Sequence, residues 1–350
     1  MTSLFVPGRL CLLGEHSDWA GAYRRTHPAI VPGRCLVTAT DQGLGAEAEP
    51  LDDALELASM LPDGTHAEPV RLPLRSLADA ARAGGFWSYA AGVASIVRER
   101  WDVGGLRLRI VANDLPLGKG LSSSAAVSVL VARAFARTWG LDVDVREEMR
   151  LAYAGERRAG SACGLMDQVC AFGRRTTRLD FDGAAFDVRP IPVGAPLHLL
   201  VVDLRAAKDT RRILADLNAC YPAAPGTLAA GVRDALGPGN LDLVERAEEA
   251  LAAGDAAALG ATMAEAQALF DARVAPACPE LRAPRLHAVL EHPAVTELAY
   301  GGKGVGSQGD GCAQLVARDP AARDALAARL AHDLGVATLP LTMAPAAAAA

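Results

Sequence analysis

The chain lacks several features that mark particular classes of protein. Only 5% of its 350 residues are aromatic. No apolar run reaches the roughly 18–20 residues that a membrane-spanning helix needs. Asp and Glu (41) outnumber Lys and Arg (35), so the basic surface that nucleic-acid-binding proteins use is not expected. The first residues contain no basic segment followed by an apolar one, so no secretory signal is predicted and the expected location is the cytoplasm.

Cysteine pairs are also missing. The chain has seven cysteines and no C-x-x-C pair; they stand at positions 11, 35, 163, 170, 220, 278 and 312. This scattered, odd set predicts reduced thiols, not a disulfide framework or a zinc site. What the chain does have is length, which suffices for two domains with substantial cores.

Strand-like and helix-like segments alternate irregularly along the chain. Strands are predicted at 4–13, 106–112, 197–203 and 312–317, and alanine-rich helices at roughly 226–270 and 318–333. Segment 41–73 is acidic and interrupted by Gly and Pro, which predicts a variable edge region around one short helix. The irregular alternation favours an α+β fold over a regularly wound parallel sheet.

A glycine- and serine-rich run precedes an apolar, helix-like segment. Positions 115–126 read LPLGKGLSSSAA, and the apolar residues after them recur with helical spacing: Val127, Leu130, Val131, Ala134 and Phe135. The glycines allow the backbone to curve closely around a ligand, and any of the serines could cap the helix. Several N–H groups and the helix dipole would then point at one place, which suits a phosphate. An ordinary loop and cap would look the same, and the Walker pattern is absent because Lys119 stands between the glycines.

A polar cluster follows the first predicted strand. Positions 6–21 read VPGRLCLLGEHSDWAG, in which Glu15, His16 and Asp18 come just after the apolar strand. Loops at strand ends commonly carry functional side chains, and these three offer hydrogen-bonding groups for the hydroxyls of a polyol. An acidic surface turn would look similar. A zinc site of the hydrolytic type is disfavoured because the helical i, i+4 pair is missing.

An aspartate follows a Cys-Gly turn in a third segment. Positions 155–168 read GERRAGSACGLMDQ, and Asp167 opens an apolar run. Such an aspartate is commonly a turn or cap residue. The residue types alone therefore leave its role open.

Together the three segments resemble the motifs of the GHMP kinases, most closely those of galactokinases and the related arabinokinases. Residues 116–125 match Pro-x-Gly-x-Gly-Leu-Ser-Ser-Ser-Ala without a gap, and residues 163–168 match Cys-Gly-x-Met-Asp-Gln. The N-terminal segment matches Pro-Gly-Arg, a short strand and Gly-Glu-His-Thr-Asp-Tyr-x-Gly, with Ser17 in place of threonine and Trp19 in place of tyrosine. The matches occur in the family's order, which indicates one active site.

The resemblance implies a two-domain GHMP kinase fold of the α+β class. The expected domains are 1–188, which would hold the sugar loop and the phosphate loop, and 189–350, with the active site in the cleft between them. The implied activity is that of an ATP-dependent kinase that phosphorylates the anomeric hydroxyl of a monosaccharide. The implied partners are a sugar, ATP and Mg²⁺, and neither nucleic acid nor a membrane is expected.

The resemblance also implies roles for individual residues. Asp167 would be the catalytic base, and Arg9 would lie beside the reacting hydroxyl and the transferred phosphate. The sugar hydroxyls would be bound by Glu15, His16 and Asp18. ATP would be held by Gly118, Gly120, Leu121, Ser122, Ser123 and Ser124, and Mg²⁺ by Ser124 and Glu156.

Two segments depart from the galactokinase pattern. Positions 22–27 read AYRRTH, in which Arg24 or Arg25 could meet an acidic group on the sugar or simply be solvated. The glycine-rich loop at 300–312 is longer than the family's third motif, and its extra polar residues could tune substrate choice or only decorate the loop: Lys303, Ser307, Gln308 and Asp310. A kinase of another polar small molecule (a cyclitol or an amino-sugar metabolite) and a non-catalytic sugar and ATP sensor are therefore alternatives.

Overall fold

Helices and strands are mixed along the chain. The computed structural model describes residues 1–115, 120–161 and 163–345. The strands are β1 (Thr2–Leu13), β2 (Gly33–Leu51), β3 (Ala54–Met60), β4 (His66–Pro73), β5 (Gly105–Asn113), β6 (Thr176–Asp182), β7 (Ala185–Pro190), β8 (Leu197–Asp203), β9 (Ala299–Gly304), β10 (Cys312–Ala317) and β11 (Ala337–Met343). The helices are α1 (Ser17–Ala22), α2 (Leu77–Ala83), α3 (Ser88–Arg100), α4 (Ser123–Trp139), α5 (Val145–Arg158), α6 (Thr210–Asn218), α7 (Thr227–Asp234), α8 (Asn240–Ala253), α9 (Ala256–Arg273), α10 (Pro284–Leu290), α11 (Pro293–Leu298) and α12 (Pro320–Leu334). Short 3₁₀ helices include Tyr23–Arg25 and Asp167–Phe172.

The residues group into two compact units by their internal contacts. Unit 1 comprises residues 1–9 and 39–174, and unit 2 comprises residues 10–38 and the chain from residue 175 onward. Each unit is built from two stretches of chain, because β1 and β2 contribute residues to both. The contiguous division at residue 188 stays a prediction.

Unit 1 combines a mixed sheet with a group of helices. Its strands follow the order β4-β3-β5-β2, in which β3 runs parallel to β5 and the other neighbours are antiparallel. Helices α3, α4 and α5 pack on one another. A Cβ on Gly92 of α3 would lie 2.2 Å from the carbonyl oxygen of Gly155 of α5, so this crossing requires a glycine. The close crossing fixes the last turn of α5, which carries Glu156.

Unit 2 contains a sheet that is antiparallel throughout. Its strand order is β11-β8-β10-β9, and the register places Gln314 of β10 opposite Lys303 of β9 and Val201 of β8. All residues of β10 are buried, so the centre of the sheet is covered on both faces. Helix α9 packs against β9, and α12 packs against β8 and β11. The first residues of β2 pair with β6, and β6 pairs with β7.

Local sequence explains several helix ends. The side chains of Asp144, Asp255 and Asp319 accept a hydrogen bond from the backbone N–H three residues further on, and so cap α5, α9 and α12. Helices α4 and α12 end at glycines in the left-handed conformation, Gly140 (φ +62°) and Gly335 (φ +65°). These ends are therefore determined by short stretches of sequence.

The elements predicted from the sequence differ in how well they match the structure. The strands predicted at 197–203 and 312–317 coincide with β8 and β10, and α4 forms where the apolar periodicity places it. The short helix expected within segment 41–73 is wrong, because the end of β2 and all of β3 and β4 occupy the segment, with β4 at the edge of the sheet. These strands are held by pairing with each other and with β5, which is distant in sequence. Local composition does not show such pairing.

The cysteines form no disulfides in the described part of the chain, which contains all seven of them. Burial raises the pKa of Cys163 to about 12 and that of Cys170 to about 12, so both thiols stay protonated at neutral pH. None of the helices in the described part of the chain combines the length and the apolar character that a membrane crossing requires.

Candidate active site

The phosphate loop is described from Gly120 onward. Gly118, like positions 116, 117 and 119, lies outside the described residues. Gly120 (φ +75°) and Ser122 (φ +55°) both adopt the left-handed conformation, and α4 begins directly after them. The side chain of Ser122, at the N-cap, makes no capping hydrogen bond. The first N–H groups of an α-helix have no partner within the helix, so this end of α4 offers donors to an anion.

Arg9 and Asp167 form an ion pair within unit 1. Strand β1 carries Arg9, and Asp167 opens the 3₁₀ helix Asp167–Phe172. Arg9 Nη1–H donates to the carbonyl oxygen of Gly120 (3.1 Å), and the backbone N–H of Arg9 donates to that of Leu121 (3.2 Å). Arg9 is buried, whereas 29% of the Asp167 side chain is exposed. An accessible carboxylate can take a proton from a hydroxyl, and a fixed guanidinium can stabilise negative charge on a phosphoryl group.

Glu156 and Ser124, the predicted metal ligands, also lie together in unit 1. Gln168 Nε2–H donates to Oε1 of the Glu156 carboxylate (2.8 Å), and the hydroxyls of Ser124 and Ser128 lie near that carboxylate. Burial raises the pKa of Glu156 to about 7; the charge of Asp167 acts in the same direction, and the hydrogen bonds oppose it. A hydroxyl and a carboxylate are the hard oxygen donors that Mg²⁺ prefers.

Glu156 and Ser124 suit a metal ion that takes few of its ligands from the protein. Among the described residues, no group of three or more His, Cys, Asp or Glu side chains is placed to hold a metal ion. Mg²⁺ usually takes one or two ligands from the protein and the rest from phosphates and water. The pair of Glu156 and Ser124 therefore fits Mg²⁺ brought in with a nucleotide.

The predicted sugar loop lies in unit 2, at the end of β1. Gly14 (φ +89°) and His16 (φ +71°) turn the backbone into α1, and both Glu15 and His16 are buried. Trp19 Nε1–H donates to His16 Nδ1 (3.1 Å), and the His16 ring stacks on Phe270. Asp18 is half-buried, and its Oδ1 accepts from the backbone N–H of Trp19 (2.8 Å).

Burial lowers the pKa of His16 to about 3, and the ammonium groups of Lys208 and Lys303 act in the same direction. The ring is therefore neutral at physiological pH. A tryptophan N–H can only donate, so Nδ1 must be the acceptor and the proton must sit on Nε2. His16 Nε2–H has no hydrogen-bond partner in the structure.

Glu15 is already paired with a residue that the sugar motif does not contain. Its Oε1 accepts from the ammonium group of Lys303, and Lys303 Nζ–H also donates to the Gly304 carbonyl oxygen (2.9 Å). The sequence singles out Lys303 as an addition to the glycine-rich loop but does not show its partner. The only sequence signal for this pair is a lysine among glycines near the C-terminus.

Arg24 and Arg25 have separate surroundings. Arg24 pairs with Asp182 and donates to the carbonyl oxygens of Pro28 and Ile30, so it holds the turn after α1. Arg25 is exposed. The structure thus gives Arg24 a tethering role, which neither of the two sequence-based alternatives described.

Comparison with known proteins identifies the part of the chain that contains the Asp167 site. Residues 88–174 match the model of the GHMP kinases N terminal domain. This segment therefore resembles the N-terminal domain of GHMP kinases. It contains Gly120, Ser124, Glu156 and Asp167, whereas Glu15, His16 and Asp18 precede it.

The chain is also similar to galactokinases. The galactokinase of Mycobacterium tuberculosis (strain H37Rv) is 32% identical over 206 residues, which is 57% of this chain and 52% of the relative. The chain thus spans about half the length of the curated relatives it matches.

Solved GHMP kinases share the fold over almost the whole chain. The L. major mevalonate kinase in complex with R-mevalonate has a TM-score of 0.73 at 20% identity, covering 99% of this chain and 97% of that one. The Lactococcus lactis galactokinase complexed with galactose has a TM-score of 0.73 at 17% identity, covering 98% and 93%. These likenesses confirm the α+β GHMP kinase fold.

Proposed function

We propose that the protein is an ATP-dependent kinase that phosphorylates the anomeric hydroxyl of a monosaccharide to give a sugar 1-phosphate. The observation that carries the proposal is the ion pair of Arg9 and Asp167 beside Gly120 and the start of α4. This arrangement combines a proton acceptor, a fixed positive charge and a phosphate-binding helix end within one unit. The 32% sequence identity with the galactokinase of Mycobacterium tuberculosis supports a sugar as the acceptor of the phosphate.

In the proposed reaction, Asp167 accepts the proton of the anomeric hydroxyl. The hydroxyl oxygen forms a bond to the γ-phosphorus of ATP while the bond from that phosphorus to the bridging oxygen breaks, and ADP leaves. Arg9 stabilises the charge on the transferred phosphoryl group, and it also holds Asp167 in place. The backbone at Gly120, Leu121, Ser122 and Ser123 binds the phosphates of ATP.

Ser124 and Glu156 would hold Mg²⁺. When bound, Mg²⁺ neutralises part of the charge on the ATP phosphates. Gln168 hydrogen-bonds to the Glu156 carboxylate and so orients it for this role. On the acceptor side, Glu15, His16 and Asp18 are proposed to bind sugar hydroxyls.

An ADP-release assay tests the proposal. Neutral, acidic and amino sugars would each be supplied with Mg²⁺ and ATP, and ³¹P NMR would show whether the phosphate is attached at C1. Asp167→Asn should abolish most of the turnover. Asp180→Asn is a matched control, because Asp180 is also paired with arginine and has a similar exposure, 26% against 29% for Asp167.

The other outcomes separate the alternatives. Phosphate transfer to a cyclitol or an amino-sugar metabolite, but to none of the other sugars, would indicate a kinase of another small molecule. Thermal stabilisation by both sugar and ATP without any ADP release would indicate a non-catalytic sensor. Full activity in Asp167→Asn would show that Asp167 is not the base.

A further inference from the structure

The end of β9 and the loop that follows it contain two buried polar side chains that a decorative surface loop would not need. Lys303 and Gln308 are each 1% exposed. Both line a small pocket of unit 2 together with Glu15, Asn240 and Phe270. Burying a charge or an amide costs free energy unless it is paired, so these residues require an explanation.

Gln308 is buried, and neither Nε2 nor Oε1 of its amide makes a hydrogen bond with any described residue. Its backbone is held at φ +64°, a conformation that residues other than glycine rarely adopt. Native proteins leave few buried polar groups unpaired, and residues in strained conformations cluster at ligand sites. The amide therefore has the properties of a group that is completed by a ligand.

His16 shows the same two properties. It too has a positive φ, and its Nε2–H is a buried donor without a partner. The Ser307 carbonyl faces the ring but does not reach hydrogen-bond geometry on Nε2. His16 follows Glu15 in the chain and stacks on Phe270, so its ring lies beside the residues that line the pocket.

Several hydrogen-bond donors in this set remain unused. Glu15, the expected acceptor for sugar hydroxyls, already accepts from Lys303 on Oε1, and its carboxylate keeps capacity to accept on Oε2. Lys303 uses two of its three N–H groups, on Glu15 and on the Gly304 carbonyl oxygen. The donors that remain are one N–H of Lys303, the N–H of His16 and the amide of Gln308, and Gln308 also offers one acceptor oxygen.

Positive charges act on His16. Two ammonium groups, those of Lys208 and Lys303, act on His16, and no carboxylate acts on it in the opposite direction. Lys208 Nζ–H donates to the carbonyl oxygens of Val305 and Gln308, so Lys208 lies against the loop that carries Gln308. Asp310 Oδ1 instead accepts hydrogen bonds from the backbone N–H groups of Arg285 and Leu286.

We infer that Lys303, His16 and Gln308 bind an anionic oxygen group of an acidic sugar, a carboxylate or a phosphate ester at a carbon other than C1. Lys303 and His16 donate to the anionic oxygens. The Gln308 amide donates to the same group and accepts from a neighbouring sugar hydroxyl. This inference rests on the proposed function for its sugar, and it names Lys303 as the residue that sets substrate choice.

Binding and phosphorylation measured separately test this inference. Isothermal titration without ATP would compare, for the gluco, galacto and manno series, the neutral sugar, its uronate and its 6-phosphate. At least one acidic sugar should bind about 10-fold or more tightly than its neutral counterpart, consistent with a charge-assisted hydrogen bond. Comparing the affinity for the uronate with the affinity for the 6-phosphate shows which anion is preferred.

Two variants connect the preference to these residues. The double variant Lys303→Met/Glu15→Gln removes both charges together, so it avoids an unpaired buried carboxylate, and it should lose the preference for the acidic sugar. Gln308→Met keeps side-chain length at the same φ and removes an unpaired amide. It should weaken binding of the acidic sugar about 10-fold without lowering the melting temperature, a combination that a structural role would not produce.

Equal or tighter binding of the neutral sugars, or an acid preference that survives in the double variant, would overturn the inference. Failure to bind any sugar of the panel would overturn it as well. If acidic sugars bind as expected but no ADP is released, the inference holds and the proposed kinase function fails. If a neutral sugar alone is bound and phosphorylated at C1, the proposed function holds and the inference fails.

Discussion

The two groups of residues that the motifs single out differ in what surrounds them. In the phosphate-side set (Arg9, Gly120, Ser124, Glu156 and Asp167), predicted residues lie against one another: Arg9 pairs with Asp167 and touches Gly120, and the Ser124 hydroxyl lies near Glu156. In the sugar-side set (Glu15, His16 and Asp18), two residues are engaged by side chains that differ from the motif or lie outside it. Lys303 pairs with Glu15, and the indole of Trp19, which replaces the motif's tyrosine, donates to His16.

This difference shows that a motif can specify residue types without specifying whether those residues are still able to hydrogen-bond to a substrate. Phosphoryl transfer from ATP makes the same demands whatever the acceptor, so the residues that perform it can keep the same mutual contacts. Recognition of the acceptor depends on which donors and acceptors remain unused. Lys303 changes that balance from outside the motif, because it pairs with Glu15 and brings a positive charge.

Asp167→Asn is expected to give the largest effect and tests the phosphate-side set. The amide cannot accept the proton of the attacking hydroxyl, so kcat should fall about 100- to 10,000-fold, the usual contribution of general base catalysis. ADP release under saturating sugar and ATP would measure the fall. A variant with a lower affinity for sugar but an unchanged kcat would move Asp167 from catalysis to binding.

Lys303→Met should have a large effect on stability and tests the sugar-side set. It leaves the buried carboxylate of Glu15 without its partner, which typically costs about 3–5 kcal/mol. Adding Glu15→Gln should restore most of the loss, as measured by urea denaturation of the two variants and the wild type. A single variant as stable as the wild type would mean that Glu15 and Lys303 do not depend on each other, and the contrast between the two sets would then disappear.

Trp19→Phe removes the donor to His16 Nδ1 and leaves a buried acceptor unpaired. The cost is expected to be about 1–3 kcal/mol in the free energy of unfolding. The specific readout is ¹⁵N NMR of the His16 ring, which should change from a single Nε2–H tautomer to a mixture. Trp139→Phe is the matched control, because the Trp139 indole N–H donates to the Gly105 carbonyl oxygen and should leave the His16 signals unchanged.

The smallest expected effect is the pH dependence of stability that His16 causes. Its pKa is about 3 in the folded protein and 6.5 ordinarily, so between these values the unfolded chain binds a proton that the folded protein does not. The free energy of unfolding therefore falls as the pH falls through 6.5. From pH 7.5 to 5.5 the wild type should lose about 1.4 kcal/mol relative to His16→Gln.

The exposed His27 provides the control for this measurement. His27→Gln should show the same pH dependence as the wild type if burial of His16 is the cause. Urea midpoints at the two pH values would measure both variants. If the free energy of unfolding depends on pH in the same way for the wild type and His16→Gln, the His16 ring titrates normally in the folded protein. The assignment of Nε2–H as a donor on a neutral ring would then be wrong.

Local patterns account for a large part of the fold. Helix α4 follows from the spacing of Leu130, Ala134 and its neighbours, and β8 and β10 follow from short β-rich runs. Segment 41–73 was not predictable in this way, because β4 is largely exposed and lies at the edge of its sheet. Its residues have the composition of a loop, and they form strands because a distant strand, β5, supports β3.

The amino-acid sequence is enough to establish the residue types of the candidate site and their order along the chain. These are a strand with Arg9, a loop with Glu15 and His16, a glycine-rich turn before a helix, and Asp167 after a second turn. These are local features, and adjacent residues suffice to show them. Only the tertiary structure decided which of them are still available to a substrate. Glu15 and Lys303 lie 288 positions apart in the chain, and the energy of an ion pair depends on distance in space and on burial, which no local pattern records.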